Sequence, residues 1–242
     1  MGELYLVSTP IGNLEDITVR AIKTIFSVST IVCEDTRITG QLIHELKNTY
    51  ASFVDTSLRH TFISYRNTNE VHMVPEIIQK LKNGDNVILM SDSGTPLISD
   101  PGYRIIQEAL KRGFPIQIIP GVTAFVTALT GSGLPLNIIT FVGYLPEKPQ
   151  KRLEFLRKIR ISYASVLSTY ALYVAPHKLR KTLEDMRSIF GNIPIVAARE
   201  LTKLHEEFKR GTLDECLAYF NNPRGEFVIL FDLPESSCNQ AL

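Results

Sequence analysis

Apolar residues along this chain come in short blocks, each closed by Gly, Pro, Asn or Asp and followed by a segment with apolar positions three and four apart. The blocks predict buried strands at 4–8, 30–33, 86–90 and 115–119, and the spaced segments predict helices between them. The first helix follows Asp16 as N-cap and lines up Ile17, Ala21, Ile22 and Ile25 on one face. Others run from Glu34 through Leu46, over 71–83 up to Gly84, and over about 100–112 with Gly113 as the C′ residue. Residues 49–70 are polar and irregular and predict no element. The alternation continues with strands at 138–142, 170–174, 194–199 and 226–232 and helices at 150–159, 176–189 and 212–221. Such regular alternation predicts βα units on a mainly parallel sheet. The "GSGLPL" segment, 131–136, is the expected divider, giving two α/β lobes, 1–131 and 132–242, with a cleft between them.

One turn departs from this economy. "SDSGTPLISDPG", 91–102, joins a strand to a helix with 12 residues, among them two Gly, two Pro and two Asp, where two to six residues usually suffice. Asp100 is placed as an N-cap with Pro101 at the first helical position. Asp92 falls at the carboxyl end of a strand, where open α/β sheets bind ligands. A structural turn is one reading of these residues. The other is a ligand loop, which gains from a second Gly-containing strand end, "IIPGVTAF", 118–125, where Thr123 can cap the next helix. Two carboxylates would repel a pyrophosphate but accept hydroxyls, an ammonium or a sulfonium.

Composition narrows the field. With 44% hydrophobic and 21% charged residues the chain is of ordinary globular type. Its net charge of +1 gives no global field for nucleic acid, so any such contact needs a local basic face. Lys148, Lys151, Arg152, Arg157, Lys158 and Arg160 form the best basic stretch, read either as a solvated helix face or as a phosphate contact. Cys33, Cys216 and Cys238 are isolated, which indicates neither a disulfide framework nor a metal site. No apolar run approaches the roughly 18–20 residues of a membrane span, and the first residues read as a strand, so a cytoplasmic protein without a membrane partner is expected. There is no P-loop, no G-x-S-x-G and no H-E-x-x-H, and Gly131-Ser-Gly133 makes a poor dinucleotide fingerprint.

The segments "YLVSTPIGNLEDITVRAI" (5–22), "CEDTRITGQLI" (33–43), "SDSGTPLISDPGYRII" (91–106), "PGVTA" (120–124), "GLP" (133–135), "PHKLRKTLEDM" (176–186) and "ARELTKLHEEFKRGTL" (198–213) together resemble one family. It is that of the bacterial small-subunit (16S) ribosomal RNA 2′-O-ribose methyltransferases acting on a decoding-region cytidine, within the tetrapyrrole-methylase-like, class III enzymes. The resemblance spans about 4–232. It implies two α/β lobes with the active site in the cleft between them, S-adenosylmethionine as cofactor, a homodimer, and 16S ribosomal RNA or the small ribosomal subunit as partner. By position it implies that the cofactor lies against Asp92, Gly94, Thr95, Pro96, Pro120, Gly121, Thr123 and Ala124, with Tyr173 and Val174 over the adenine. The sequence departs from the family pattern at Ser93, at 133–139 and at 172–178, where a Glu and a Ser of the family are replaced by Val174 and Ala175.

Transfer of a methyl group to a ribose hydroxyl calls for alignment and for a base or a cation at the developing alkoxide. In Arg199-Glu-Leu-Thr-Lys203, Lys203 can stabilise the alkoxide and Glu200 can take the proton or hold Lys203; a surface ion pair is the plainer reading. Asp35 and Arg37 offer phosphate contact or simple helix capping. Asn13 and Arg199 complete the expected acceptor side. Val at Gly94 or Gly121 is expected to abolish cofactor binding more than folding. Two rivals stay open: a methyltransferase of the same fold acting on a tetrapyrrole or a protein side chain, and a binding module without turnover.

Overall fold

The computed structural model describes residues 1–52, 54–163 and 166–233; Cys238 lies outside them. The chain divides into two compact units, Met1–Thr123 and Ala124–Leu242.

The first unit is wound around five parallel strands, β1 (Leu4–Val7), β2 (Thr30–Cys33), β3 (Thr61–Ser64), β4 (Val87–Met90) and β5 (Ile116–Ile119), in the order β3-β2-β4-β1-β5. Every residue of β2 and β4 is buried, as expected for parallel strands covered on both faces. Alternate residues feed two cores. Val7, Ile31, Ile88 and Met90 pack with α1 (Val19–Ile25) and α2 (Thr36–Thr49). Leu6, Val32, Val87 and Leu89 pack with α3 (Glu70–Lys82) and α4 (Tyr103–Lys111). The neighbours β1 and β4 therefore lead into helices on opposite faces, which opens a crevice beyond their carboxyl ends, the ligand position of open α/β sheets.

The second unit holds β6 (Ile139–Tyr144), β7 (Thr169–Val174), β8 (Pro194–Arg199), β9 (Glu207–Thr212) and β10 (Phe227–Phe231), in the order β6-β7-β10-β8-β9. Only β6 and β7 are parallel; the other three pairings are antiparallel, which corrects the expectation of a mainly parallel sheet for this half. One core joins β7, β8 and β10 to α6 (Pro149–Tyr163), α7 (Pro176–Phe190) and α8 (Leu213–Tyr219). Helix α5 (Ala124–Ser132) packs on β7, β8 and β10, so the division falls ahead of this helix rather than at 131/132.

Local corrections follow from side-chain geometry. Thr18, not Asp16, caps α1 by accepting the Ala21 N–H at 3.1 Å. Helix α4 starts only at Tyr103, after Gly102 at φ 139°, and Asp100 does not cap it. Strands β3 and β9 escaped the sequence pattern because both are edges: β3 buries only Ile63, and β9 carries Glu207, Lys209 and Arg210 with no residue fully buried.

Candidate active site

In the first unit the turns after β1, β4 and β5, three adjacent strands, are laced together. The Thr9 and Gly94 backbones exchange two hydrogen bonds, Thr9 N–H to Gly94 O at 2.9 Å and Gly94 N–H to Thr9 O at 3.2 Å. The Ser91 hydroxyl donates to Gly94 O at 2.8 Å, and the Thr95 and Thr123 hydroxyls meet at 2.7 Å. Gly94 sits at φ 83°, and a Cβ there would stand 3.2 Å from Ile11 Cγ2. A Cβ on Gly121 would stand 2.7 Å from Ser8 Cβ. Both glycines thus admit a neighbouring residue, Ile11 at Gly94 and Ser8 at Gly121, where a side chain would crowd it. Leu97 and Ser99, at φ 74° and 67°, occupy a region non-glycine residues seldom adopt, and strain of this kind concentrates at functional loops. Pro96 and Gly94 are buried in this knot, whereas Pro120 and Gly121 are exposed.

Carboxylates gather beside it. Asp92 Oδ1 accepts the Asp35 N–H at 3.1 Å, linking the ends of β4 and β2. Burial raises the Asp92 pKa, with the Asp35 carboxylate adding to the effect against the Asp35 N–H. Asp100 faces Ser91 and is pushed up to about 6, chiefly by burial and then by Glu34 and Asp92. A small recess here is lined by Cys33, Glu34, Tyr65, Ser91, Asp100 and Pro101. Asp35 caps α2 at the Arg37 N–H, 2.9 Å, and grips the same residue's guanidinium at 3.0 and 2.6 Å. Arg37 hydrogen bonds hold the Asp35 carboxyl well below the usual carboxylate range, and the 86% exposed Arg37 side chain stays oriented toward solvent. Asn13 accepts the Glu15 N–H at 3.0 Å and so caps a short 3-10 turn.

In the second unit Tyr173 projects from β7 into an aromatic group with Phe141 and Tyr144, ring centroids 5.1 and 5.7 Å away, and its hydroxyl accepts the Phe125 N–H at 3.3 Å near the start of α5, one residue past Ala124. Val174 is buried in the core, so only its backbone is available to a ligand. Lys203 Nζ lies 3.0 Å from Glu200 Oε1 and 2.9 Å from Glu226 Oε2. Burial works to lower the Lys203 pKa, but the bonds to Glu226 and Glu200 outweigh it and raise the value. Glu200 shows the mirror image: burial works upward, and Lys203 with the Glu226 N–H brings the pKa down. The pair is a held ammonium beside a held carboxylate. Arg199 donates to Arg224 O at 2.7 Å and Glu207 at 3.1 Å, which binds it into the sheet edge. Glu226 was missed by sequence reasoning, since nothing local marks a partner 23 residues from Lys203.

Among the described residues, no group of three or more His, Cys, Asp or Glu is placed to hold a metal ion, and no helix is long and apolar enough to cross a membrane.

Solved structures share this fold. The uroporphyrin-III C-methyl transferase of Thermus thermophilus complexed with S-adenyl homocysteine matches with TM-score 0.63 at 16% identity, covering 95% of this chain and 97% of that one. A diphthine synthase matches with TM-score 0.68 at 15% identity, covering 99% and 95%. The chain belongs to the tetrapyrrole (corrin/porphyrin) methylase family, whose pattern matches residues 3–217. Similar curated relatives carry the name ribosomal RNA small subunit methyltransferase I. That of Synechocystis is 42% identical over 233 residues, 95% of this chain and 78% of the relative. That of Hydrogenobaculum is 38% identical over 243 residues, 99% of this chain and 100% of the relative. The Bacillus subtilis protein is 41% identical over 237 residues, 96% and 75% of the two chains.

Proposed function

We propose that this methylase-family protein transfers the methyl group of S-adenosylmethionine to the ribose 2′-hydroxyl of a cytidine in the decoding region of small-subunit (16S) ribosomal RNA. The observation that carries the reading is Lys203, kept charged and in place by Glu200 and Glu226. An ammonium has three N–H donors, and two are engaged here. The third is left for an acceptor oxygen, the group that gains negative charge when a hydroxyl is methylated. Methylation at a ring carbon has no such oxygen to serve.

The first unit's turns suit the cofactor. None of 8–13, 91–102 and 120–123 carries a Lys or Arg, and the Asp92 carboxylate and loop carbonyls match hydroxyl and cationic groups rather than phosphates. Asp92, Gly94, Thr95, Pro96, Pro120, Gly121 and Thr123 would hold it, with Ala124, Tyr173 and the Val174 backbone from the second unit. When bound, S-adenosylmethionine supplies an electrophilic methyl on its sulfonium. Lys203 lowers the pKa of the acceptor hydroxyl, whose proton leaves to Glu200 or to water, Glu200 fixes Lys203, and Arg37, aimed by Asp35, takes a phosphate near the acceptor, with Asn13 and Arg199 shaping the same side.

Charge distribution supports a polyanionic acceptor. Residues 147–190 hold ten Lys and Arg against four Asp and Glu, which leaves 16 against 21 for the rest of the chain's 26 and 25. Arg152 is withdrawn from this surface, buried against Asp185 at 2.6 Å, and Arg160 donates to Ile189 O. Lys148, Lys151, Arg157 and Lys158 are exposed and available to phosphates. The protein works in the cytoplasm as a homodimer, a reading that rests on the resemblance; a monomer mass by light scattering at micromolar concentration would remove the dimer. The function itself is tested by mapping 2′-O-methyl groups in 16S RNA from cells with and without the protein. One cytidine of the decoding region should lose its methyl group; an unchanged map sinks the proposal.

A further inference from the structure

We infer that the segment Arg224-Gly225-Glu226 is the seat of the 199–206 loop, and that Glu226 is a positioning residue that sets the place and charge of Lys203. The inference extends the acceptor-side reading above, but it stands on packing that is independent of the substrate.

The loop is closed in part by its own bonds, Lys203 N–H to Glu200 O and Glu206 N–H to Lys203 O, each at 3.0 Å. Glu200 and Thr202 lie at φ 50° and 66°, and non-glycine residues remain there only when surrounding structure dictates it. For Glu200 those surroundings are residues 224–226. Backbone and side chain interlock: Glu200 N–H donates to Glu226 O at 3.0 Å, and Glu226 N–H donates to Glu200 Oε1 at 3.0 Å. Arg199 Nε donates to Arg224 O at 2.7 Å. Gly225, at φ 83°, leaves open the volume that the Glu200 carboxylate fills, and any Cβ at 225 would overlap that carboxylate. Glu226 Oε2 also takes the Lys203 ammonium, at 2.9 Å, beside the Glu200 bond at 3.0 Å.

The two carboxylates differ in kind. Glu200 is 19% exposed and spends its oxygens on the seat, while Glu226 is 73% exposed, so its charge is the one that can be removed without dismantling the loop. The other charged groups facing this corner are few. Glu206 is turned onto the Thr202 N–H at 2.6 Å, and Arg199 is engaged by Glu207. Removal of the Glu226 charge therefore leaves Lys203 with Glu200 as its one carboxylate partner among the described residues. With a raised lysine pKa the charged form persists to higher pH, so loss of a contributing carboxylate brings deprotonation to lower pH.

The test reads Lys203 directly. Competitive acetylation of the intact protein across pH, followed by mass spectrometry of the Lys203 peptide, gives its titration in wild type and in Glu226→Gln. Glutamine keeps an acceptor oxygen and the backbone bonds. The titration should move to lower pH by at least half a unit in the variant, and Gly225→Ala, which displaces Glu200, should shift it in the same direction. Single-turnover methylation at saturating RNA should fall about tenfold in Glu226→Gln, with its alkaline limb displaced downward and the Michaelis constant for RNA within about twofold. An unchanged Lys203 titration in Glu226→Gln overturns the inference whatever the activity. A shifted titration supports it; if Lys203→Ala then turns over normally, the catalytic assignment of Lys203 falls and the positioning by Glu226 stands.

Discussion

The two units build their candidate sites from opposite materials. In the first, three turns beyond parallel strands are tied by backbone and hydroxyl bonds, with Gly94 and Gly121 admitting neighbouring chain. In the second, a strained loop on an antiparallel sheet is held by ion pairs among Glu200, Lys203 and Glu226. Parallel strands direct all their carboxyl ends to one side, so several turns meet there and backbone groups suffice to shape a ligand pocket. At this end of the antiparallel sheet the 199–206 loop meets the lead into β10, and side-chain charge joins backbone bonds in the shaping. The comparison predicts an emphasis rather than a clean split: the turns of the first unit should weigh most in cofactor affinity and the Lys203 loop of the second in the chemical step.

The sharpest test of that emphasis is Lys203→Ala. Turnover should fall by about 10²–10⁴, the range for one electrostatic or acid–base group, while calorimetric affinity for S-adenosylmethionine stays unchanged. A loss of affinity instead would place Lys203 with the cofactor. If the residue merely anchors RNA, saturated turnover would survive and only the Michaelis constant would rise.

Asp92→Asn probes the other half. The amide oxygen can still accept the Asp35 N–H, so folding should persist, but cofactor affinity should weaken by roughly 10–100-fold, the worth of a hydrogen bond to a charged group. Unchanged affinity with slowed turnover would reverse the assignment of the two units.

A smaller effect concerns the basic helices. Lys151→Glu with Arg157→Glu should raise the Michaelis constant for RNA about tenfold at low salt and flatten its salt dependence, with the saturated rate intact. Equal salt slopes for variant and wild type would show a merely solvated face.

The smallest expected effect is on stability. The Asp100 pKa, raised by burial to about 6 from the usual 3.8, means the native state favours the protonated acid. That contribution is complete below pH about 4 and is lost as pH rises through about 6. Asp100→Asn should therefore melt a few degrees above wild type at pH 7, with the gap closing toward pH 4. A gap that is independent of pH would assign the effect to something other than this ionisation.

Much of the fold was legible because burial leaves a local trace. The blocks at β1, β2, β4 and β5 read as strands since all but the β5 edge are buried nearly throughout, and α2, α3 and α7 read as helices since their apolar faces recur at helical spacing. The 12-residue turn announced itself by Gly and Pro where the chain had no need of them, and the family resemblance rested on such turns. The role of Asp100 was misread because a cap and a buried acid look alike in sequence: both are an Asp ahead of a helix, and only the fold set it beside Ser91 and Glu34.

By itself, then, the sequence determined which segments bury, where the chain must bend, and which family's turns it carries, because these are properties of residues near one another. The tertiary structure alone decided which strands became edges, how the second sheet is ordered, and which distant groups meet. Asp35 finds Asp92 at a separation of 57 residues and Lys203 finds Glu226 at 23. No local pattern encodes such encounters, because the partner of an edge strand or a charged side chain is chosen by where the whole core places it.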